Sequence, residues 1–437
     1  MNEQIEIDGT ARSQCGAKIA VIGGGLSGLV AAITAAGQGA EVQLFEGAKS
    51  LGGRALTSTH KGFYFNMGPH ALYANGAACR IFRELGIEPD GKMPSLEGHA
   101  AIYGGKKYLL PVSAKTILKT RYLGLRDKFE IFKFYGALAK LDTAQYRFVT
   151  QRDMIDAMCK RPKARLFLEA ACRLATYCNA PNLVSAEVSL NQLRLGGGGV
   201  YYLHSGWGTL VGMLEAKAKA LGVKIMCGEK LRSVDKVEAG QRLQFASGNE
   251  AVVGAVILCV PPKQVTSMGV GTPDFKKKIE SAVEVHAACL DIAIAKLPEA
   301  KATFALGMDE PSYFSVHSAT AHLAPTGGGL AHAAFYLAPD HKAAVDEEAQ
   351  LEALVSKLQP LWQSTVVHRI FRPQALVSYW LPQAHNGGLQ GRPEERASEG
   401  MFIAGDWVGA EGILSDAAVA SGQRAARAAV KYIQPVK

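Results

Sequence analysis

The sequence predicts an α/β protein, and three stretches carry that expectation. Residues 18–46 alternate an apolar strand, a glycine-rich turn, a small-residue helix and a second strand. Residues 77–180 run with helical periodicity, and residues 401–426 join a buried strand to another small-residue helix. Together they describe a Rossmann-type nucleotide domain assembled from both ends of the chain, interrupted by a discontinuous α+β domain (helical insertion plus second sheet).

The N-terminal unit is the most explicit. Lys18-Ile19-Ala20-Val21-Ile22 is a β-branched apolar run of the kind buried on both faces of a sheet. Gly23, Gly25 and Gly28 follow at G-x-G-x-x-G spacing, which serves a tight turn, close backbone approach to a pyrophosphate and helix packing on the sheet. Leu26 and Ser27 open a helix that runs to Ala36, its N-terminal N–H groups facing the phosphates. Val42 to Phe45 makes the second strand. It ends in Glu46, about 20 residues beyond the glycines, where an acceptor for a ribose 2′-OH is expected and a 2′-phosphate would be repelled. Leu51-Gly52-Gly53-Arg54 then adds a second glycine pair and a cation, which a domain that binds only NAD does not need.

Composition bounds the rest. With 437 residues, 48% hydrophobic and 20% charged, the chain suits two or three globular domains and is neither disordered nor fibrous. Ile19 to Gly39 would just span a bilayer, but its early glycines punctuate it as strand, turn and helix. The polar, acid-bearing residues 1–14 lack the pattern of a signal peptide and read as a frayed tail. Eight cysteines without a C-x-x-C pair suggest neither a zinc site nor a disulfide framework, so no metal and a reducing cytoplasm are expected. The net charge of +9 is concentrated: Lys106 to Arg173 holds 9 Lys and 7 Arg against 6 acids. That segment, 106–173, is open to three readings: peripheral contact with an anionic membrane, an acidic substrate, or a solvated face. No recognised nucleic-acid module accompanies the charge, so nucleic acid is not expected.

Further along, Phe63 to Phe65 alternate like a strand and lead into Gly68-Pro69-His70, where His70 is suited to cap its own turn. Ala78 to Leu85 read as a helix closed by Gly86, and Leu123 to Leu141 as an amphipathic helix whose aromatic side is expected in the core. Gly196 to Gly199 read as a connector, followed by the aromatic run Tyr201 to His204 and a helix over Val211 to Leu221 closed by Gly222. Val223 to Met226 and Leu231 to Val234 are expected to pair as strands, and Leu243 to Phe245 with Ala251 to Leu258 to form a hairpin stopped by Pro261-Pro262. Cys289 to Ile294 and Ala331 to Tyr336 alternate like strands of a second sheet, the floor of a substrate cavity. Near the C-terminus, Met401 to Ile403 lead to Gly405-Asp406, and Gly412-Ile413-Leu414-Ser415 open a last helix, its N-terminus suited to an electron-rich group.

In these motifs the chain resembles the superfamily of flavin-containing amine oxidases, phytoene desaturases and protoporphyrinogen oxidases. It is most similar to phytoene desaturase-like flavoproteins, around Ala288 to Asp291, Tyr313 to Ser318 and Gly387 to Pro393. The resemblance implies non-covalent FAD. Glu46 would meet the adenosine ribose, Arg54 the pyrophosphate region, the backbone near Leu231 the adenine, and Asp406 the ribityl or phosphate region. Gly68, Pro69 and His70 would pack against the flavin ring, with Leu414 and Ser415 facing it. Amine oxidases of the superfamily commonly carry a lysine in the strand that here holds Ala287 to Leu290, so its absence argues against amine oxidation. No catalytic side chain is assigned; His70, Tyr202 and His204 are the candidates, with Tyr379 as a further cavity residue. Tyr202 and His204 read equally as lining the cavity mouth or as interdomain packing.

The expected organisation is a FAD-binding domain from residues 1–75, 205–270 and 395–437, and a substrate domain from 76–204 and 271–394. The expected activity is that of an FAD-dependent oxidoreductase, moving a hydride from a C–H of an apolar, amine or polyene-like substrate to flavin N5. With no second dinucleotide fingerprint, oxygen or a quinone is the expected electron acceptor. The alternatives are a non-redox flavin-dependent isomerase, a Rossmann NAD dehydrogenase, or a non-catalytic FAD-binding protein.

Overall fold

Apolar runs set down the two largest sheets among the described residues, and the helices between them carry small or amphipathic faces. The computed structural model describes residues 18–95, 99–342 and 346–434, so the N-terminal tail expected to fray lies outside it. Along the chain, β1 (Lys18–Ile22), α1 (Leu26–Gly37) and β2 (Glu41–Glu46) form the N-terminal unit. The middle supplies α2 (Ala77–Glu84), a hairpin of β3 (Ala100–Tyr103) and β4 (Lys106–Leu109), then α3 (Ala114–Lys119), α4 (Leu125–Leu138), α5 (Pro162–Thr176), α6 (Ala186–Gly196) and α7 (Trp207–Ala220). Next come β5 (Lys224–Cys227), β6 (Ala255–Leu258), β7 (Val285–Ile294), β8 (Phe304–Gly307), β9 (Ser312–Val316), β10 (Gly329–Tyr336) and β11 (Val366–Ser378). The chain closes with β12 (Arg396–Ser398), β13 (Met401–Ile403) and α8 (Leu414–Ile433).

The first sheet has the order β5-β2-β1-β6-β13-β12, parallel except at its last pair. The strand order reverses direction at β1, so the carboxyl end of β1 is the crevice where an α/β sheet takes a ligand. Both faces of β1 are covered, which is why its residues are apolar without alternation. α8 lies across α1, so close that a Cβ on Gly422 would come 2.3 Å from the Ser27 carbonyl oxygen. Only small residues permit that crossing, and it brings the C-terminal helix onto the N-terminal unit.

The second sheet has the order β11-β7-β10-β9-β8-β3-β4, antiparallel apart from β8 against β3. One face packs on the helix Glu347–Leu358; the other faces α5, α6 and the strand Phe63–Asn66.

Four expectations about the elements are corrected. Residues 77–180 are not uniformly helical: Ala100 to Leu109 form a hairpin that completes the second sheet, where Tyr103 and Lys106 flank a Gly104-Gly105 turn. Val223 to Met226 and Leu231 to Val234 do not pair with each other; β5 adds in parallel to β2, and Leu231 starts a strand that pairs with Gly240–Phe245. The run Ala251 to Leu258 is broken at Gly254, its first half in the hairpin and its second half, β6, in the parallel sheet. In α4 the aromatic residues are divided. Phe134 is buried, while Phe129 and Phe132 are 70% and 38% exposed.

Candidate functional site

The glycine turn at the end of β1 is held by fixed contacts. Gly23 N–H donates to the Phe45 carbonyl at 2.7 Å, and a Cβ on Gly28 would fall 1.8 Å from the Gly23 carbonyl oxygen. Gly25 differs: a Cβ there would meet nothing within 4 Å. It stands at the N-terminus of α1, which no side chain caps. The result is an open cradle of backbone N–H groups at the positive end of a buried helix, suited to a diphosphate. Leu26 and Ser27 form the first turn behind it, both buried. Gly52 N–H donates to the Gly24 carbonyl at 2.8 Å, bringing Gly52 and Gly53 beside the first turn. Glu46 accepts from the N–H groups of Gly24 at 2.6 Å and Ala48 at 2.7 Å, which fixes its carboxylate at the cradle's edge.

From the other end of the chain comes Asp406, 2% exposed, paired with Arg54 by contacts of 2.8 and 3.0 Å. Arg54 also donates to the Val377 carbonyl and lies over the Tyr379 ring, and Tyr379 N–H donates to Asp406. Burial raises the Asp406 carboxyl, but Arg54, with help from Arg392, more than offsets this and holds it below the usual carboxylate range. Tyr379 is thus bound into the Arg54–Asp406 seam and is not part of the cavity wall.

Beyond Asp406, Gly405 is anchored by Ser421, and Gly412 turns the chain into α8. Leu414 takes a left-handed φ of 55°, strained for a residue with a Cβ. The strained turn leaves the N-terminus of α8 without a side-chain cap, at Leu414 and Ser415. Under this turn lies Arg392, 3% exposed. One nitrogen donates to the Gly412 carbonyl at 2.8 Å, while its Nε and Nη2 find no partner among the described residues. Burial pushes its pKa down to about 10.

Gly68, Pro69 and His70 connect this crevice to a second space. His70 lies within hydrogen-bond distance of the Gly68 carbonyl (3.0 Å) and the Arg54 carbonyl (3.1 Å), edge-on to Trp207. Both its nitrogens face backbone carbonyls, and the neutral ring donates to one of them, so His70 is a fastener of the turn. Burial lowers its pKa. Two residues on, Ala71 and Tyr73 line a cavity of about 1430 Å³ between α5, α6 and the second sheet. Its wall is largely aromatic and apolar, including Tyr135, Phe167, Tyr177, Tyr202, Phe304 and Tyr313, and its described lining carries no carboxylate. Gly196 to Gly199 also border it.

Of the expected residues, Gly23, Gly25, Leu26, Ser27, Gly28, Glu46, Gly52 and Gly53 gather at the cradle, and Arg54 meets Asp406. Gly68 to His70 stand between cradle and cavity. Leu231 is buried at the start of its strand, and Tyr202 lies in the cavity wall. His204 does not: it stacks on His322 at 4.2 Å and accepts the His322 N–H.

Several residues escaped the sequence reading. Asp291 and His332 are fully buried partners, His332 Nδ1 lying 2.6 Å from the Asp291 carboxylate, which also accepts from Arg372 at 2.5 Å. Tyr313, His317 and Arg392 belong with them. A signal existed: Asp291 and His332 are polar residues at inward positions of otherwise apolar strands. Their pairing becomes visible only in the antiparallel register that sets them opposite.

Residues 26–430 match the family of flavin containing amine oxidoreductases. Among curated proteins, the chain is similar to a 4,4'-diapolycopen-4-al dehydrogenase of Metabacillus indicus, 24% identical over 274 residues, 55% of each chain. It is also similar to a 4,4'-diapophytoene desaturase of Staphylococcus haemolyticus, 28% identical over 182 residues, 40% of this chain and 36% of that one. The alignment with the first covers about half of that relative's length. An oxidoreductase from Methanosarcina mazei shares the fold, with a TM-score of 0.75 at 17% identity, covering 93% of this chain and 99% of that one.

Proposed function

Because the chain belongs to the family of flavin containing amine oxidoreductases, we propose that it is an oxidoreductase that binds FAD non-covalently between its two ends and desaturates an apolar polyene. The observation that carries this reading is the wall shared by the two spaces: His70 is tied to the Arg54 backbone in the nucleotide crevice, and Ala71 and Tyr73 line the cavity. The open Gly25 cradle fits a diphosphate, Glu46 a ribose hydroxyl, the Leu231 backbone an adenine, and the uncapped α8 N-terminus the flavin ring. FAD bound there supplies the hydride acceptor. The cavity's own contribution is to exclude water and align an extended apolar chain.

A polyene is favoured over an amine because the described lining offers no carboxylate to receive an ammonium group, whereas it does carry Lys92 and Lys301. The names of the two curated relatives point to the same substrate class. Oxygen or a quinone is the proposed electron acceptor.

Peripheral contact with an anionic bilayer is part of the reading. Leu125, Phe129 and Phe132 form an exposed stripe along α4, with Leu118 nearby, among Lys115, Lys119, Arg126, Lys128 and Lys133. Phe132 and Ile117 also line the cavity, so its mouth opens beside this stripe. No helix of the described residues is long and apolar enough to cross a membrane.

The test is anaerobic bleaching of the FAD-loaded protein by 4,4'-diapophytoene in phosphatidylglycerol vesicles, with benzylamine in parallel. The reading expects bleaching by the polyene and a product lighter by two hydrogens. Bleaching by the amine alone, or a product of unchanged mass, would overturn it.

A further inference from the structure

A row of polar side chains runs through the second sheet from Arg372 to Tyr313, which lines the cavity. Asp291 on β7 lies opposite His332 on β10, and His332 opposite Ser315 on β9, so the three share one face. Asp291 and His332 are fully buried, and Ser315 and His317 are 1% exposed. Arg372, 22% exposed, anchors the outer end by its contact with Asp291. At the inner end the Tyr313 hydroxyl donates to Ser315 Oγ at 2.8 Å and lies 3.2 Å from His317 Nε2, and Tyr313 lines the cavity. The His317 ring stacks on Tyr202 at 3.8 Å and stands 4.5 Å from the His332 ring.

Two nitrogens at the middle of this row have no partner among the described residues: His317 Nδ1 and His332 Nε2. A carboxylate only accepts, so His332 Nδ1 carries the proton shared with Asp291, and Nε2 is left without a partner among the described residues. Burying such a nitrogen unpaired is costly, as is burying the Asp291 carboxylate against a guanidinium that stays 22% exposed. Stability alone gives no reason for either.

We propose that Tyr313, His317, His332 and Asp291 form a proton relay that takes the substrate's proton from the cavity. The inference rests on the reading that a substrate is oxidised there. One substrate C–H bond gives its hydrogen with both electrons to the flavin. A neighbouring C–H bond gives its hydrogen as a proton, and the electron pair left behind closes the new double bond. That proton goes to the Tyr313 oxygen as the Tyr313 hydroxyl turns from Ser315 and passes its own proton to His317 Nε2; as the His317 and His332 rings, 4.5 Å apart, turn toward one another, the His317 Nδ1 proton passes to His332 Nε2. His332 becomes an imidazolium against the Asp291 carboxylate, which Arg372 holds in place. When oxygen or a quinone takes the electron pair, the same path returns the proton. Tyr313 is the group that meets substrate; His317, His332 and Asp291 are positioning residues acting through it. The charged and titratable groups facing His332 are Asp291, Arg372, His317 and His70, and burial together with His332 and His70 keeps His317 neutral.

The experiment measures anaerobic bleaching of FAD-loaded wild type, Tyr313→Phe and His332→Gln by 4,4'-diapophytoene in phosphatidylglycerol vesicles across pH. The relay predicts a slowing of about tenfold to a hundredfold in both variants with FAD affinity unchanged. It also predicts that the residual His332→Gln rate climbs with pH as hydroxide substitutes for the base. Wild-type rates in both variants, or a loss that is the same at every pH, would overturn it. A second readout needs no substrate and does not depend on His332→Gln folding. In the ¹⁵N-histidine spectrum of the holoprotein, Tyr313→Phe shifts the ring nitrogens of His332 as well as those of His317. An unmoved His332 overturns the relay, whereas a wild type that the polyene fails to bleach overturns only the substrate reading.

Discussion

Single residues separate what holds the fold from what holds a ligand. Gly28 is packed against backbone, so Gly28→Ala forces a Cβ into the Gly23 carbonyl and should cost about 3 kcal/mol or more in a urea melt. Gly25 faces open space with an ordinary φ of −75°, so Gly25→Ala should keep the melt within about 1 kcal/mol of wild type. The same change should weaken FAD binding at least tenfold, about 1.4 kcal/mol; equal losses of stability in the two variants would contradict the assignment. Asp416 offers a pH test. Its carboxylate reaches from α8 to accept the Ala78 N–H at 2.8 Å, and burial pushes its pKa up to about 6 from 3.8. The folded protein then keeps a proton between those values that the unfolded chain has lost. This group's contribution to stability is therefore full below pH 4, falls between about 4 and 6, and is level above. Asp416→Asn keeps the acceptor and removes the ionisation. In the apoprotein it should be more stable than wild type by about 1–3 kcal/mol at pH 7, with the gap closing at pH 4. A gap constant with pH would refute this.

At the scale of elements, α4 carries two apolar stripes. Ile131, Phe134 and Leu138 are buried in the helical insertion, while Leu125, at 86% exposure, and Phe129, at 70%, turn outward among lysines. Hydrophobic periodicity alone reads both stripes as core, since the sequence does not say how many neighbours a helix has. Phe129→Glu should leave the folding stability within about 0.5 kcal/mol of wild type and abolish co-sedimentation with phosphatidylglycerol vesicles at low salt; retained sedimentation would leave α4 a solvated face. The hairpin β3–β4 was hidden for a related reason: Ala100 to Tyr103 are apolar but short, and what makes them a strand is the distant edge of β8. The same holds for Val223 to Met226, which pair with β2 rather than with their neighbours in sequence. Local patterns made α1, β1, β2 and α8 legible because glycines and an unbroken apolar run mark their ends. Partners chosen by tertiary contact were not legible.

For the whole molecule, the glycine cradle was readable because its chemistry is backbone geometry, and backbone geometry is written in glycines. Its alliance with Arg54 and Asp406 came through resemblance, and the Arg372–Asp291–His332 row emerged only from register, since nothing in the spacing of Asp291, His332 and Arg372 announces a contact. Residues 68–73 run from His70, beside the Arg54 carbonyl, to Tyr73 in the cavity wall, so one segment borders both the crevice and the cavity. Everything functional here depends on FAD lying along that seam. Difference density from crystals grown with FAD tests this most directly. The account predicts the diphosphate over Gly25 at the N-terminus of α1 and the flavin ring against Leu414 and Ser415, with one edge toward the cavity; FAD elsewhere on the chain, or none at saturating concentration, would contradict it.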